Sequence, residues 1–232
     1  MPDTNDDAIP PNLASLHAGE EFLRGKAIGL VAGDGRLRLH LAITEAAMDL
    51  ADVLRQFETA DEDLKVIQLL GMRTFNAFGA SVKLALSGYG QNSALILRDV
   101  LETVFLIDYF AGDRTLIERW RFADKKRFAM YEMFSELAGH PTMKSAFMMR
   151  PQRDGDAVIG PFMETTTLEA VVSEMGRLAI QVGEQLNLFF PADWPQGLPS
   201  RLAFAKLKQR WVATFYPSPS PAAPKSDEPG GA

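Results

Sequence analysis

Apolar residues recur at three- and four-residue steps through almost every long segment of the chain, and that period limits what it can fold into. In "LRLHLAITEAAMDLADVLRQFE", residues 37–58, Leu39, Ile43, Ala47, Leu50 and Leu54 fall on one side of a helix. A half-buried strand would alternate by two instead. Segments 62–87, 92–111, 114–138, 165–190 and 199–216 read as helices in the same way. Glycine and proline punctuate them: "AGDG" before residue 37, "SGYGQN" at 87–92, Gly139 and Pro141, and "PADWPQGLP" before 199. Thr59 and Asp61, Asn92 or Ser93, Asp113, and Thr166 or Thr167 stand where N-caps belong. The first breaks are short, so the helices at 62–87, 92–111 and 114–138 should be consecutive antiparallel neighbours. "KAIGLVA", residues 26–32, is a candidate for a short strand, but a lone strand would have no partner. No repeat and no strand–helix alternation is present. The expected fold is all-α, a single-domain helical bundle of five to seven helices over residues 13–216.

The ends differ in kind. Residues 1–12 are acidic and carry prolines, and residues 217–232, "PSPSPAAPKSDEPGGA", hold no apolar anchor. Such segments bury too little surface to offset their ordering entropy and are expected to be disordered. Residues 139–164 combine two proline breaks with an "RDGD" turn and the methionine group Met143, Met148 and Met149, and are expected to form a long loop region with one short helix and an extended segment.

Composition narrows the chemistry. With no cysteine, disulfides, thiolate metal sites and cysteine nucleophiles are excluded. Histidines are far apart and no Glu-x-x-His pair occurs, so no metal is expected. Nucleotide loops of the G-x-G-x-x-G or G-K-[ST] type are absent, as is G-x-S-x-G, and no cofactor is implied. The net charge of −6 disfavours free nucleic acid and anionic membranes as partners of the chain as a whole. No apolar run approaches about 18 residues. The N-terminal "MPDTNDDAIPPN" lacks the pattern of a signal peptide. A cytoplasmic protein with no membrane contact is the expectation.

One helix breaks the pattern. "SALILRDVLETVFLIDYF", residues 93–110, is apolar along most of its length but carries Arg98, Asp99 and Glu102. At ~100° per residue these share one arc with Thr103, bracketed by Leu95 and Leu106. Neighbouring helices offer partners. Arg73 lies on a polar face with Lys65, Asn76 and Lys83; Asp124 and Arg127 interrupt the apolar stripe of Leu116, Trp120, Ala123, Tyr131 and Phe134. Arg98–Glu102 and Asp124–Arg127 have the spacings of local helical pairs. One buried network of Arg98, Glu102, Asp124 and Arg127, joined by Arg73, is expected. It has three readings: a structural network that fixes helix register; a site in which Glu102 and Asp124 are catalytic and Arg73, Arg98 and Arg127 bind an anionic ligand; or a dimer interface.

The stretch "ALILRDVLETVFLIDYFAGDRTLIERW", residues 94–120, resembles the signature helix pair of a family of uncharacterised helical bacterial proteins. Arg98 and Glu102 match the arginine and glutamate of that pattern, and the likeness extends loosely over 62–138. That family is similar to the HEPN group of helical domains, some of which are toxins or defence ribonucleases. The resemblance implies a bacterial stress or defence setting. The ribonucleases of that group use an arginine followed by a histidine after four to six residues, and this chain departs from them. Its histidines are His17, His40 and His140, and the nearest spacing, Arg36 to His40, leaves only three residues between.

The last helix is basic, with Arg201, Lys206, Lys208 and Arg210 interleaved by Phe204, Trp211, Phe215 and Tyr216. Single-stranded nucleic acid or an anionic surface suits that mixture. The plainer reading is a helix docked through Leu202, Ala205 and Trp211. The leading expectation for the chain is a non-catalytic binding protein, with a second copy or another protein as partner. A HEPN-like nuclease or other hydrolase that uses the buried Arg/Glu cluster, with RNA as a candidate substrate, and a sensor of a small anionic ligand stand as alternatives.

Overall fold

The computed structural model describes residues 11–122 and 160–217. Among them are seven α-helices and no strand: α1 (Pro11–Gly33), α2 (Gly35–Arg55), α3 (Glu62–Leu86), α4 (Gly90–Gly112), α5 (Thr115–Phe122), α6 (Thr165–Asn187) and α7 (Leu198–Phe215), with a short 3-10 turn at Pro195–Gly197. The fold is an all-α bundle.

Side-chain chemistry sets the boundaries. The Asp34 carboxylate accepts hydrogen bonds from the Arg36 and Leu37 backbone N–H groups and opens α2. Asp61 does the same for α3 through Asp63 and Leu64. Glu164, rather than Thr166 or Thr167, caps α6; both threonines donate to its carboxylate. Ser93 is not a cap. It lies inside α4, which starts at Gly90 after Tyr89 with no side-chain cap. At the end of α3, Tyr89 N–H reaches Leu84 O (2.9 Å) and Gly88 N–H reaches Ala85 O (3.3 Å), the paired bonds of a Schellman motif. That motif requires the left-handed backbone of Gly88, whose φ is +88°.

Helices α2, α3, α4 and α6 form the four-membered core, each in contact with its neighbours around the bundle. Ile43, Leu50, Leu54, Ile67, Phe78, Val100, Ile107, Met175 and Leu186 fill its centre with almost no exposure. Helix α6 runs parallel to α4: Gly90 lies against Thr167, and the Gln185 amide donates to Asp108 at 2.8 Å. It is parallel to α2 as well, with His40 against Gly176 and Ala51 and Leu186 both meeting Gly71. Helix α7 lies outside, along α2, and short α5 packs on α4 and α3.

Residues 26–32, the strand candidate without a partner, are the last turns of α1. This helix buries only Ala27 and so has almost no apolar stripe to betray it. In α7 the docking residues are Phe204 and Trp211, while Leu202 and Ala205 face outward. The remainder of the expected 114–138 helix and most of the 139–164 loop lie outside the described residues.

Candidate functional site

Helices α3 and α4 are a hairpin locked at its closed end. Ser81 and Ser93, both buried, exchange hydrogen bonds: Ser93 Oγ donates to Ser81 O (2.9 Å), Ser81 Oγ to Ser93 O (3.2 Å), and the hydroxyls lie 2.7 Å apart. This clamp fixes the register of the two helices. Five residues before Ser81 the face of α3 turns outward through Asn76 and Arg73, and α4 meets it with Asp99. The Arg73 guanidinium grips that carboxylate in a fork, with Nε 3.1 Å from Oδ2 and Nη2 on Oδ1. The bond to Asp99 raises the Arg73 pKa above its ordinary value, against the opposing effect of burial.

Along α4, Arg98 Nη2 lies 2.7 Å from Glu102 Oε1, the (i, i+4) pair that the sequence suggests. Its side chains retain 25% and 33% of their exposure. The pair is therefore half-buried and not enclosed. The reason is rotational. Leu97, Val100, Val104 and Ile107 turn toward the core, which leaves the arc of Arg98 and Glu102 on the outer side. Thr103 is buried beside them and donates to Asp99 O at 2.8 Å, within its own helix. Large apolar side chains surround the pair and stay open: Leu95 at 51%, Phe105 at 56% and Tyr109 at 59% exposure. An open groove of about 800 Å³ runs beside them between α3 and α4, lined by Leu69, Met72, Arg73, Ala80, Leu95 and Asp99.

Of the expected site residues, the fold thus brings Arg98 to Glu102, and Arg73 to Asp99. Asp124 and Arg127 lie outside the described residues. Asp99 is the partner that spacing alone does not assign to Arg73, because pairing across helices depends on the serine clamp. Arg73 thus pairs with Asp99, and Arg98 with Glu102. At the start of α3, Glu62 lies 2.7 Å from Lys65 and 3.3 Å from Arg121, and Asp61 lies 3.6 Å from Arg114.

A second polar centre lies under α7. His40 is buried, and its Nδ1 accepts a hydrogen bond from Trp211 Nε1 at 2.9 Å. Its ring stacks on Phe215 at 4.2 Å, and the Arg36 guanidinium lies over the far ring. Burial first, then the Arg177 and Arg36 charges, push the imidazole down to about 4, against a small opposite pull from Asp34. An imidazole held neutral as an acceptor is a packing element. Its place three residues before Ile43 on the buried stripe of α2 is the sequence signal for that role.

A second open depression, of about 590 Å³, lies between α2 and α3 and is lined by Arg38, Leu41, Glu45, Met48 and Val82. A crevice between Gly88, Phe162 and Thr167 has room for about 10 Å³. Beside it, Tyr89 donates to Glu20 at 2.7 Å and the Arg24 guanidinium reaches Ser87 Oγ at 2.9 Å, which anchors α1 on the α3–α4 turn. Burial and then the Glu20 contact push the Tyr89 hydroxyl up to about 12. In α7, Lys208 pairs with Glu184, and Arg201 Nε donates to Asn187 at 2.6 Å. No group of three potential metal ligands occurs among the described residues, and no helix there is long and apolar enough to cross a membrane. Comparison of the chain with protein-family models, with curated proteins and with solved structures finds no match.

Proposed function

We propose that the protein is a non-catalytic interaction protein whose working surface is the outer face of α3 and α4. One observation carries this reading. The charges on that face are neutralised in pairs, Arg73 with Asp99 and Arg98 with Glu102, while Leu69, Leu95, Phe105 and Tyr109 remain open around them. A face of this kind suits a protein partner: apolar and aromatic contact area with polar groups already satisfied. A catalytic carboxylate would instead need a free acceptor and a proton-transfer partner within hydrogen-bond reach. Among the described residues, His40 is committed to Trp211 and His17 lies 3.0 Å from Glu20 on α1, while His140 lies outside them. An anion sensor needs arginine in excess of carboxylate, whereas Arg73 and Arg98 each pair with a carboxylate. The HEPN-like ancestry and the bacterial stress or defence setting belong to the same proposal, supported by the sequence of residues 94–120.

The test is to incubate the full chain, and its Arg98→Met and Glu102→Gln variants, with single-stranded and hairpin RNA. Thermal unfolding with and without inorganic phosphate runs alongside. The reading expects no cleavage and no phosphate-induced shift in Tm. RNA cleavage by the wild type that disappears in Glu102→Gln would establish the nuclease alternative.

A further inference from the structure

The outward stripe of α4 contains Gln91, Leu95, Arg98, Glu102, Phe105 and Tyr109, at alternating steps of four and three residues. This is the spacing of a helix-pairing seam. Buried Leu97, Val100, Val104 and Ile107 occupy the opposite side, so the seam is turned away from the bundle. Its order has an internal symmetry. Arg98 and Glu102 lie two residues either side of Val100, Leu95 and Phe105 five residues either side, and Gln91 and Tyr109 nine residues either side.

We infer that this face pairs with the same face of a second copy of the chain, α4 antiparallel to α4 about a two-fold axis level with Val100. The inference rests on the interaction reading above and names its partner. In that arrangement Arg98 of one protomer meets Glu102 of its partner, and Glu102 meets Arg98. The ion pair already present within each helix then closes into a ring of four alternating charges. Leu95 packs on Phe105 across the axis, twice, and the Gln91 amide faces the Tyr109 hydroxyl, twice. Antiparallel helices match the two seam positions of one strand with the opposite positions of the other, and all three layers obey that rule. A two-fold interface must be self-complementary, and charges of opposite sign at mirrored positions meet that condition. A parallel pairing would oppose Arg98 to Arg98 and Glu102 to Glu102.

The seam is about 27 Å long at ~1.5 Å per residue. An interface one helix wide lies at the small end of the range for specific complexes, which implies reversible, concentration-dependent pairing. This also answers why so apolar a helix carries charges in its middle: they select the antiparallel partner and its register, as a buried polar pair does in a coiled coil.

Sedimentation velocity of the full chain between about 1 and about 100 µM tests the proposal. Wild type is expected to shift from monomer to dimer. R98E and E102R alone place like charges at both central layers, and each should weaken pairing by roughly ten-fold or more. An equimolar mixture of the two should recover it, because every central layer then holds one arginine and one glutamate. The R98E/E102R double variant should pair like wild type. Leu95→Asp, at an exposed position, serves as a second disrupting variant should either reversal fail to fold. The absence of native cysteine permits a register test: oxidised L95C/F105C should give a covalent dimer, and neither single variant should. Wild type that stays monomeric throughout overturns the proposal. So does a mixture no better than its components, or a single cysteine variant that cross-links as well as the double. Any of these results leaves the wider interaction reading standing, since that reading is tested separately, by RNA turnover, by a phosphate response and by the coupling of Arg98 to Glu102.

Discussion

Helix α6 meets its neighbours α7 and α2 at two positions where it lacks a side chain. A Cβ placed on Gly183 would lie 2.1 Å from Phe204 Cζ, and one on Gly176 would lie 2.5 Å from His40 Nδ1. Both glycines are on α6, and both neighbours are buried. Gly183→Ala is therefore expected to cost about 1–3 kcal/mol, as overpacking of a filled site does. Gly29 in α1 has nothing within 4 Å of the same added atom. Gly29→Ala should stabilise by about 0.5–1 kcal/mol, because alanine loses less backbone freedom in a helix. Urea unfolding of the two variants checks both signs in one experiment. His40 sets a pH dependence. It titrates at about 4 when folded and at ~6.5 when unfolded. Between those values the unfolded chain binds more protons, so the contribution is complete above the unfolded pKa. It is lost as pH falls toward the folded pKa, and loss then stops. The amount is on the order of 3 kcal/mol. Compared by urea unfolding at several pH values in that window, wild type should lose stability relative to His40→Phe as pH falls. Parallel curves would show that His40 does not titrate there.

At the level of elements, the α3–α4 hairpin depends on its serine clamp. Ser93→Ala removes the Ser93 Oγ bonds and leaves Ser81 Oγ with Ser93 O alone. About 1–2 kcal/mol should be lost in urea unfolding. Double substitution with Ser81→Ala should cost less than the two single losses together, since the residues share one network. A strictly additive result would mean that the clamp is not a unit. Much of this level is legible in the sequence. The stripe of Leu39, Ile43, Ala47, Leu50 and Leu54 marks α2, and glycines and acidic caps mark where α2 and α3 begin. Helix α1 is not legible because its contacts are polar and few: Glu20 to Tyr89, Arg24 to Ser87, and a single buried alanine. Periodicity detects a buried face, and α1 has scarcely one. The outward turn of Leu202 in α7 is hidden for a related reason. Apolar residues occupy both sides of that helix, and only the position of α2 decides between them.

For the whole molecule, the parallel course of α4 and α6 exposes the candidate site. The core of α2, α3, α4 and α6 is complete without the outer arc of α4. Sequence spacing identifies Arg98 and Glu102 as a pair, and the structure keeps them together at 2.7 Å. Spacing along one helix does not show which way that arc points, because rotation about the helix axis is set by packing of the opposite side. Hence a buried network is a fair expectation from the residues, and a half-buried pair on an open face is the result. Arg73 finds Asp99 for the same reason, through a register fixed farther along the hairpin. The most direct measurement is a double-mutant cycle on Arg98→Met and Glu102→Gln, by urea unfolding of dilute protein in which self-pairing is dissociated. A pair that retains a quarter to a third of its exposure should show a coupling energy below about 1 kcal/mol. A coupling of about 3 kcal/mol or more would mean that the charges are a buried strut of the fold, and would contradict their assignment to an interaction face.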